Sequence, residues 1–154
     1  MVKQRSHKPS SLGSIPSGRT KYMTINILVN GTFDIVHRGH IELLNYARGC
    51  GQQLIVCIDS DRRVKELKGN SRPINNQDDR KHLLQNLRAV NAVHIFDSAE
   101  ELEMLCKKYS PIMVKGSDYK DKPIVGSKYC KEIKFVDLVN GYSTTKTIQN
   151  IIAR

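Results

Sequence analysis

His37 and His40 stand three residues apart in the stretch VNGTFDIVHRGH, with Asp34 just ahead of them. Two imidazoles at that spacing can ligate a metal, activate a nucleophile or donate N–H groups to a phosphate. They can also serve only as a cap and a filler of a turn. A catalytic metal needs a third ligand and an open position, and Asp34 is the one nearby candidate. Phosphate needs free backbone N–H groups at a helix start and donors beside them. A helix opening near Gly39 offers those amides, Thr32 a hydroxyl, and His37 and His40 their ring N–H groups, whether neutral or protonated. Gly31 and Gly39 carry no side chain, so a nucleotide can lie close to the backbone there.

For this to work, a strand must lead into the turn and a helix must leave it. The sequence has that pattern. INILVN is a short β-rich run, and HIELLNYARGCG follows with Ile41, Leu44, Tyr46 and Ala47 near helical spacing. QLIVCID reads as a buried strand, and SDRRVKELKG as a polar helix ending at Gly69. NSRPIN is a loop. NQDDRKHLLQNLRAV reads as a helix with acids in its first turn and Leu83, Leu84 and Leu87 inward. AVHIFD is a strand, SAEELEMLCKKY a helix opened by a capping box, PIMVKG a strand and SDYKDKPIVG a polar loop. EIKFVDL is a last strand, and STTKTIQNIIA a last helix with Ser143 as its cap.

Apolar strands alternating with helices predict an α/β fold, a doubly wound parallel sheet in a single domain. Ligands of such sheets bind beyond the carboxyl ends of the strands. The polar clusters fall at those ends: Asn30 to His40, Asp59 to Lys68, Lys115 to Tyr119, and Gly141 to Thr145. The first turn is neither GxGxxG nor GxxxxGK[ST], so the dinucleotide and P-loop fingerprints are absent. In GYSTTKTIQNI, hydroxyls sit at a helix N-terminus, where an anion is favoured.

The chain has 154 residues and a formal net charge of +10. Residues 1–22 hold Lys3, Arg5, Lys8, Arg19 and Lys21, no acid, and little to bury. We read them as a disordered basic leader, with the domain spanning residues 23–154. The charge fits nucleic acid or phosphorylated small molecules. The basic stretches lack the interleaved aromatics of a single-strand platform. No stretch approaches the ~20 apolar residues of a membrane span, and no secretory signal is evident. Cys50, Cys57, Cys106 and Cys130 form no CxxC pair, which predicts reduced thiols in the cytoplasm.

GTFDIVHRGH resembles the GTFDxxHxGH signature of the cytidylyltransferase-like nucleotidyltransferase superfamily, and GYSTT resembles its ISTT motif, with Tyr142 at the Ile position. The segments LIVCIDSDRRVKELKGNSRPIN and VKGSDYKDKPIVGSK extend the resemblance, over about residues 26–152, to the bacterial heptose 1-phosphate adenylyltransferase domain. Ser117 departs from the second glycine of that domain's GGDY.

The resemblance implies transfer of a nucleotidyl group, AMP from ATP in this branch, to a sugar phosphate with release of pyrophosphate. It assigns His37, His40, Lys68 and Arg80 to catalysis. It assigns Asn30, Gly31, Thr32, Phe33, Gly39, Lys115, Gly116, Asp118, Tyr142, Ser143, Thr144 and Thr145 to the nucleotide, alongside His40. Asp34 and Arg72 fall to the acceptor substrate, with Asp34 also expected to organise the turn. Mg²⁺ is expected, held mainly by the triphosphate. A homodimer in the cytoplasm is expected, acting on neither nucleic acid nor membrane. A cytidylyltransferase using CTP and glycerol 3-phosphate or a similar polyol phosphate is the competing enzyme. A basic nucleic-acid-binding module is the competing non-enzyme.

Overall fold

The apolar runs form the strands of the computed structural model, which describes residues 23–154. They are β1 (Asn26–Gly31), β2 (Gln53–Asp59), β3 (Ala92–Phe96), β4 (Ile112–Gly116) and β5 (Glu132–Val136). All pair in parallel in the order β3-β2-β1-β4-β5. The basic segment 1–22 lies outside the described residues.

Successive strand residues point to opposite faces of a sheet, and the core divides accordingly. Ile27, Val29, Leu54, Val56, Ile58, Val93 and Val114 form one apolar cluster with Leu44 and Ala47 of α1 (Arg38–Gly49) and Leu84 of α3 (Gln77–Gln85). Leu28, Ile55, Cys57, Phe96 and Met113 form another with Leu102 and Cys106 of α4 (Ala99–Tyr109). Helices therefore cover both faces, which is the doubly wound arrangement expected from the alternation.

The strand order reverses between β1 and β4. The chain runs from β1 out to β2 and β3 on one side, then crosses to β4 and β5 on the other. The carboxyl ends of β1 and β4 therefore flank the topological switch point, where ligands of such sheets bind.

Polar caps set the helix starts. The side chains of Ser60, Asn76, Ser98 and Ser143 each accept the amide three residues on, opening α2 (Asp61–Lys68), α3, α4 and α5 (Thr144–Ile152). Gly69, at φ 95°, stops α2 where a side chain would be strained.

Three local expectations are corrected. Helix α3 ends at Gln85, because the Asn86 amide turns back to the Leu83 and Leu84 carbonyls and its side chain to the His82 carbonyl. Leu84 is fully buried but Leu83 is 45% exposed, since adjacent helix residues are about 100° apart and cannot share one face. At α4, Ser98 Oγ accepts the Glu101 amide at 3.2 Å, but the Glu101 carboxylate accepts the Asp97 amide at 2.6 Å, one residue before the expected partner. No helix among the described residues is long and apolar enough to cross a membrane.

Candidate active site

The turn between β1 and α1 is built on Phe33. Its φ of 50° lies in the left-handed region, which costs a non-glycine residue about 1–3 kcal/mol. Burial of its ring, 4% exposed in the core and 4.9 Å from the His40 ring, offsets that strain. Gly31 is required beside it, because a Cβ there would lie 3.1 Å from the Phe33 ring.

His37 is the N-cap of α1. Its Nδ1 accepts the His40 amide at 3.4 Å, and His40 Nδ1 accepts the His37 amide at 3.3 Å. The two imidazoles form a reciprocal capping box, the role usually shared by a hydroxyl and a carboxylate. With Nδ1 an acceptor in both rings, each neutral imidazole carries its proton on Nε2. The rings stack with centroids 3.8 Å apart. Burial pushes the His40 pKa down to about 4, with His37 and Lys68 adding to the shift. Burial also lowers His37. Both rings are thus neutral near pH 7, and each keeps an Nε2–H donor outside the cap. Gly39 permits the stack, since a Cβ there would lie 3.0 Å from the His37 ring and 3.2 Å from Tyr142 Cβ.

Two clefts meet over this turn. The first, of about 260 Å³, is lined by His37, Gly39, His40, Lys68, Tyr142, Ser143, Thr144 and Thr145. The second, of about 330 Å³, is lined by Asn30, Gly31, Thr32, Phe33, His40, Lys68, Lys115, Gly116, Asp118 and Tyr119. His40, Leu43, Lys68 and Leu138 belong to both walls. A ligand spanning the two clefts passes His40 and Lys68.

Burial pulls the Lys68 pKa down and Arg72 adds to it, against Asp59 and Asp34. Burial also lowers Lys115, whose Nζ lies 4.5 Å over the Tyr119 ring. In the first cleft, Ser143 Oγ accepts the Lys146 amide at 3.0 Å and Thr144 Oγ1 donates to the Ile35 carbonyl at 3.3 Å. The latter bond fastens the start of α5 to the histidine turn.

Every residue expected to contact the nucleotide lines one of these clefts, as do His37 and Lys68. Arg80, Asp34 and Arg72 line neither. Arg80 is 2% exposed and spends its guanidinium on the carbonyls of Asn75, Thr32 and Asp59 and on Asp61 Oδ1, at 2.8–3.0 Å. It ties the ends of β1 and β2 to the start of α3.

Asp34 is 3% exposed and accepts Arg72 Nε at 2.9 Å and the amides of Ile74 and Asn75. Burial acts to raise its pKa, but those amides and the Arg72 guanidinium outweigh it and leave the carboxyl below its usual range. Asp34 and Arg72 therefore form a buried pair that holds the loop after α2 over the turn. Asp34 organises the turn, and as the third ligand of a metal site it is already committed.

Asp59 bounds one of the polar clusters at the strand ends, and its role at the site comes only from the fold. It is 7% exposed, accepts Arg63 Nε at 2.6 Å and Thr32 Oγ1 at 3.5 Å, and its charge acts on both Lys68 and Lys115. Its signal was a carboxylate closing the apolar run QLIVCID at a strand's carboxyl end. Tyr119 bounds another of those clusters and carries no assigned role in the sequence. Its loop position gave no periodicity to read.

The donor set is therefore two neutral imidazoles, two lysines, hydroxyls and a helix N-terminus, which suits phosphates. Among the described residues no three His, Cys, Asp or Glu side chains converge on a common point.

Residues 28–150 match the family described as cytidylyltransferase-like. The chain is 45% identical over 135 residues to the bifunctional protein HldE of Campylobacter fetus subsp. fetus, a match covering 88% of this chain and 28% of that protein. It is 46% identical over 125 residues to HldE of Campylobacter concisus (81% and 26%) and 45% identical over 127 residues to HldE of Koribacter versatilis (80% and 26%). The chain thus spans about a quarter of the length of these relatives. A solved structure, the lipopolysaccharide core biosynthesis protein from Thermoplasma volcanium GSS1, shares the fold with a TM-score of 0.63. It is 23% identical, and the alignment covers 76% of this chain and 99% of that one.

Proposed function

The chain belongs to the cytidylyltransferase-like family, and on that premise we propose that it is a nucleotidyltransferase that moves AMP from ATP onto a sugar phosphate such as heptose 1-phosphate. The observation that carries the reading is the double-histidine capping box, which leaves two Nε2–H donors at the junction of two clefts. The identity to HldE proteins and the LKGxxRP and VKGxDY segments favour the sugar-phosphate branch.

In the reaction, an oxygen of the acceptor phosphate attacks the α-phosphorus of the triphosphate in line. The bond from the α-phosphorus to the bridging oxygen breaks, and pyrophosphate departs with the electron pair. Mg²⁺ enters with the triphosphate as part of the substrate. The chain supplies position and charge, which are the main resources for such transfers. The Nε2–H groups of His37 and His40 donate to phosphate oxygens as negative charge grows on them. Lys68, on the wall shared by both clefts, holds attacking and attacked phosphates together. The α5 N-terminus with Ser143, Thr144 and Thr145 receives the triphosphate, and Lys115 and Asp118 receive the nucleoside. No residue needs to form a covalent intermediate. On this reading the protein acts as a cytoplasmic homodimer on small phosphorylated molecules and not on nucleic acid.

Incubation of the chain with Mg²⁺, ATP and a sugar 1-phosphate tests the proposal by product analysis. One pyrophosphate and one ADP-sugar per turnover are expected. Release of orthophosphate with ADP would identify a kinase-type or hydrolytic reaction and overturn it.

A further inference from the structure

Two thiols that the proposed reaction does not use lie together on the α4 face of the sheet. Cys106, on α4, is fully buried, and Cys130, just ahead of β5, is half-buried. Both sulfurs abut Gly126. The Cys130 thiol donates to the Gly126 carbonyl at 3.4 Å. Gly126 has a φ of 80°, and a Cβ on it would lie 2.5 Å from Cys106 Sγ. A side chain there would displace Cys106, so this glycine leaves both thiols room at the same turn.

The two thiols are unequal. Cys106 is shut off from solvent and Cys130 is partly open to it, so an oxidant in solution meets Cys130 first. A partly exposed thiol beside a buried one is the arrangement of reversible redox pairs. The other two cysteines lack it. Cys57 is fully buried, with its thiol pushed up to about 12, and Cys50 lies with the other apolar cluster, across the sheet.

We infer that Cys130 and Cys106 are a redox-modification site that closes to a disulfide on exposure to a peroxide. The Cys130 thiolate attacks a peroxide oxygen and the O–O bond breaks. With hydrogen peroxide, this gives a sulfenic acid and, after proton uptake, one water. The Cys106 sulfur then attacks the Cys130 sulfur. The S–O bond breaks, and the hydroxide leaves as water with the Cys106 proton. Two thiols become one disulfide and hydrogen peroxide becomes two waters. A dithiol reductant reverses the change by thiol–disulfide exchange.

The bridge would tie α4 to the far end of the segment joining β4 to β5. That segment carries Asp118 and Tyr119 of the second cleft and follows directly on Lys115 and Gly116. Oxidation would therefore brace one wall of the cleft. The chemistry of the pair does not depend on which substrates the cleft takes.

The full chain treated with hydrogen peroxide, then alkylated and mapped by mass spectrometry, tests the inference. The expected result is a loss of two hydrogens, one peptide pair linked through Cys106 and Cys130, and reversal by dithiothreitol. Cys57→Ser should retain the link and Cys130→Ser should abolish it. The oxidised chain should melt about 5–10 °C higher, the scale for a disulfide in a domain of this size. A link from Cys106 to Cys57, a link between chains, over-oxidation of Cys130 without a bridge, or four unreacted thiols would each overturn the inference.

Discussion

Replacing His40 by asparagine or by glutamine separates the work of its two ring nitrogens. Asparagine places a polar atom near the Nδ1 position, and glutamine near Nε2. In the structure, Nδ1 closes the capping box by accepting the His37 amide at 3.3 Å, and Nε2–H is the donor left for phosphate. His40→Asn keeps an acceptor for the cap and loses the phosphate donor. Its turnover should fall about 100–1000-fold, the scale of one lost charge-stabilising donor, while its unfolding free energy stays within about 0.5 kcal/mol of the parent. His40→Gln keeps a donor and loses the cap. Its stability should fall by about 1 kcal/mol, the usual loss at an N-cap, and its turnover by about tenfold, equivalent to roughly 1.4 kcal/mol of misplacement. Pyrophosphate release at saturating substrates and urea unfolding read the two effects separately. If His40→Asn turned over like the parent, or if both variants lost turnover and stability in the same proportion, the division of roles between the nitrogens would be wrong.

Arg80→Ala should lower the unfolding free energy by about 2–4 kcal/mol in urea, because it breaks a half-buried ion pair and leaves three carbonyls short of a donor. An unchanged midpoint with lost turnover would return Arg80 to the reacting phosphates. Stability should also fall as pH drops. The His40 pKa is about 4 in the folded chain against an ordinary 6.5, so the unfolded chain takes up its proton first between those values. The loss should reach at most about 3 kcal/mol, trimmed by the ring's residual exposure, and nothing is lost above pH 6.5. His40→Gln should flatten the curve over that window, and an identical slope in the variant would remove His40 as its source. Deletion of residues 1–22 should leave turnover unchanged, and its loss would move the domain boundary upstream.

Much of this architecture is local and therefore legible in the sequence. Ser60, Ser98, Ser143 and Gly69 announce helix ends by chemistry that needs no distant partner. QLIVCID and NILVNG read as strands because both their faces are buried. The histidine turn is legible because its cap, its glycines and its rings all lie within one short stretch. The arginines were opaque for the opposite reason. Whether Arg80 meets a phosphate or three carbonyls depends on Thr32 and Asp59, far away in sequence and brought together only by the sheet. Arg72 and Asp34 likewise pair across 38 residues, so neither partner is visible from the local sequence. Leu83 misled because an apolar residue beside a buried leucine fits the composition of a core but not the angular period of a helix. The neutrality of the histidines depends on burial, which no spacing rule reports.

Whether this site joins an adenylyl group to a sugar 1-phosphate is read from pyrophosphate release with ATP, CTP, GTP and UTP against heptose 1-phosphate and glycerol 3-phosphate. The highest kcat/KM is expected for ATP with the sugar 1-phosphate, with little turnover of CTP with glycerol 3-phosphate. Turnover confined to CTP with the polyol phosphate would make this chain a cytidylyltransferase instead.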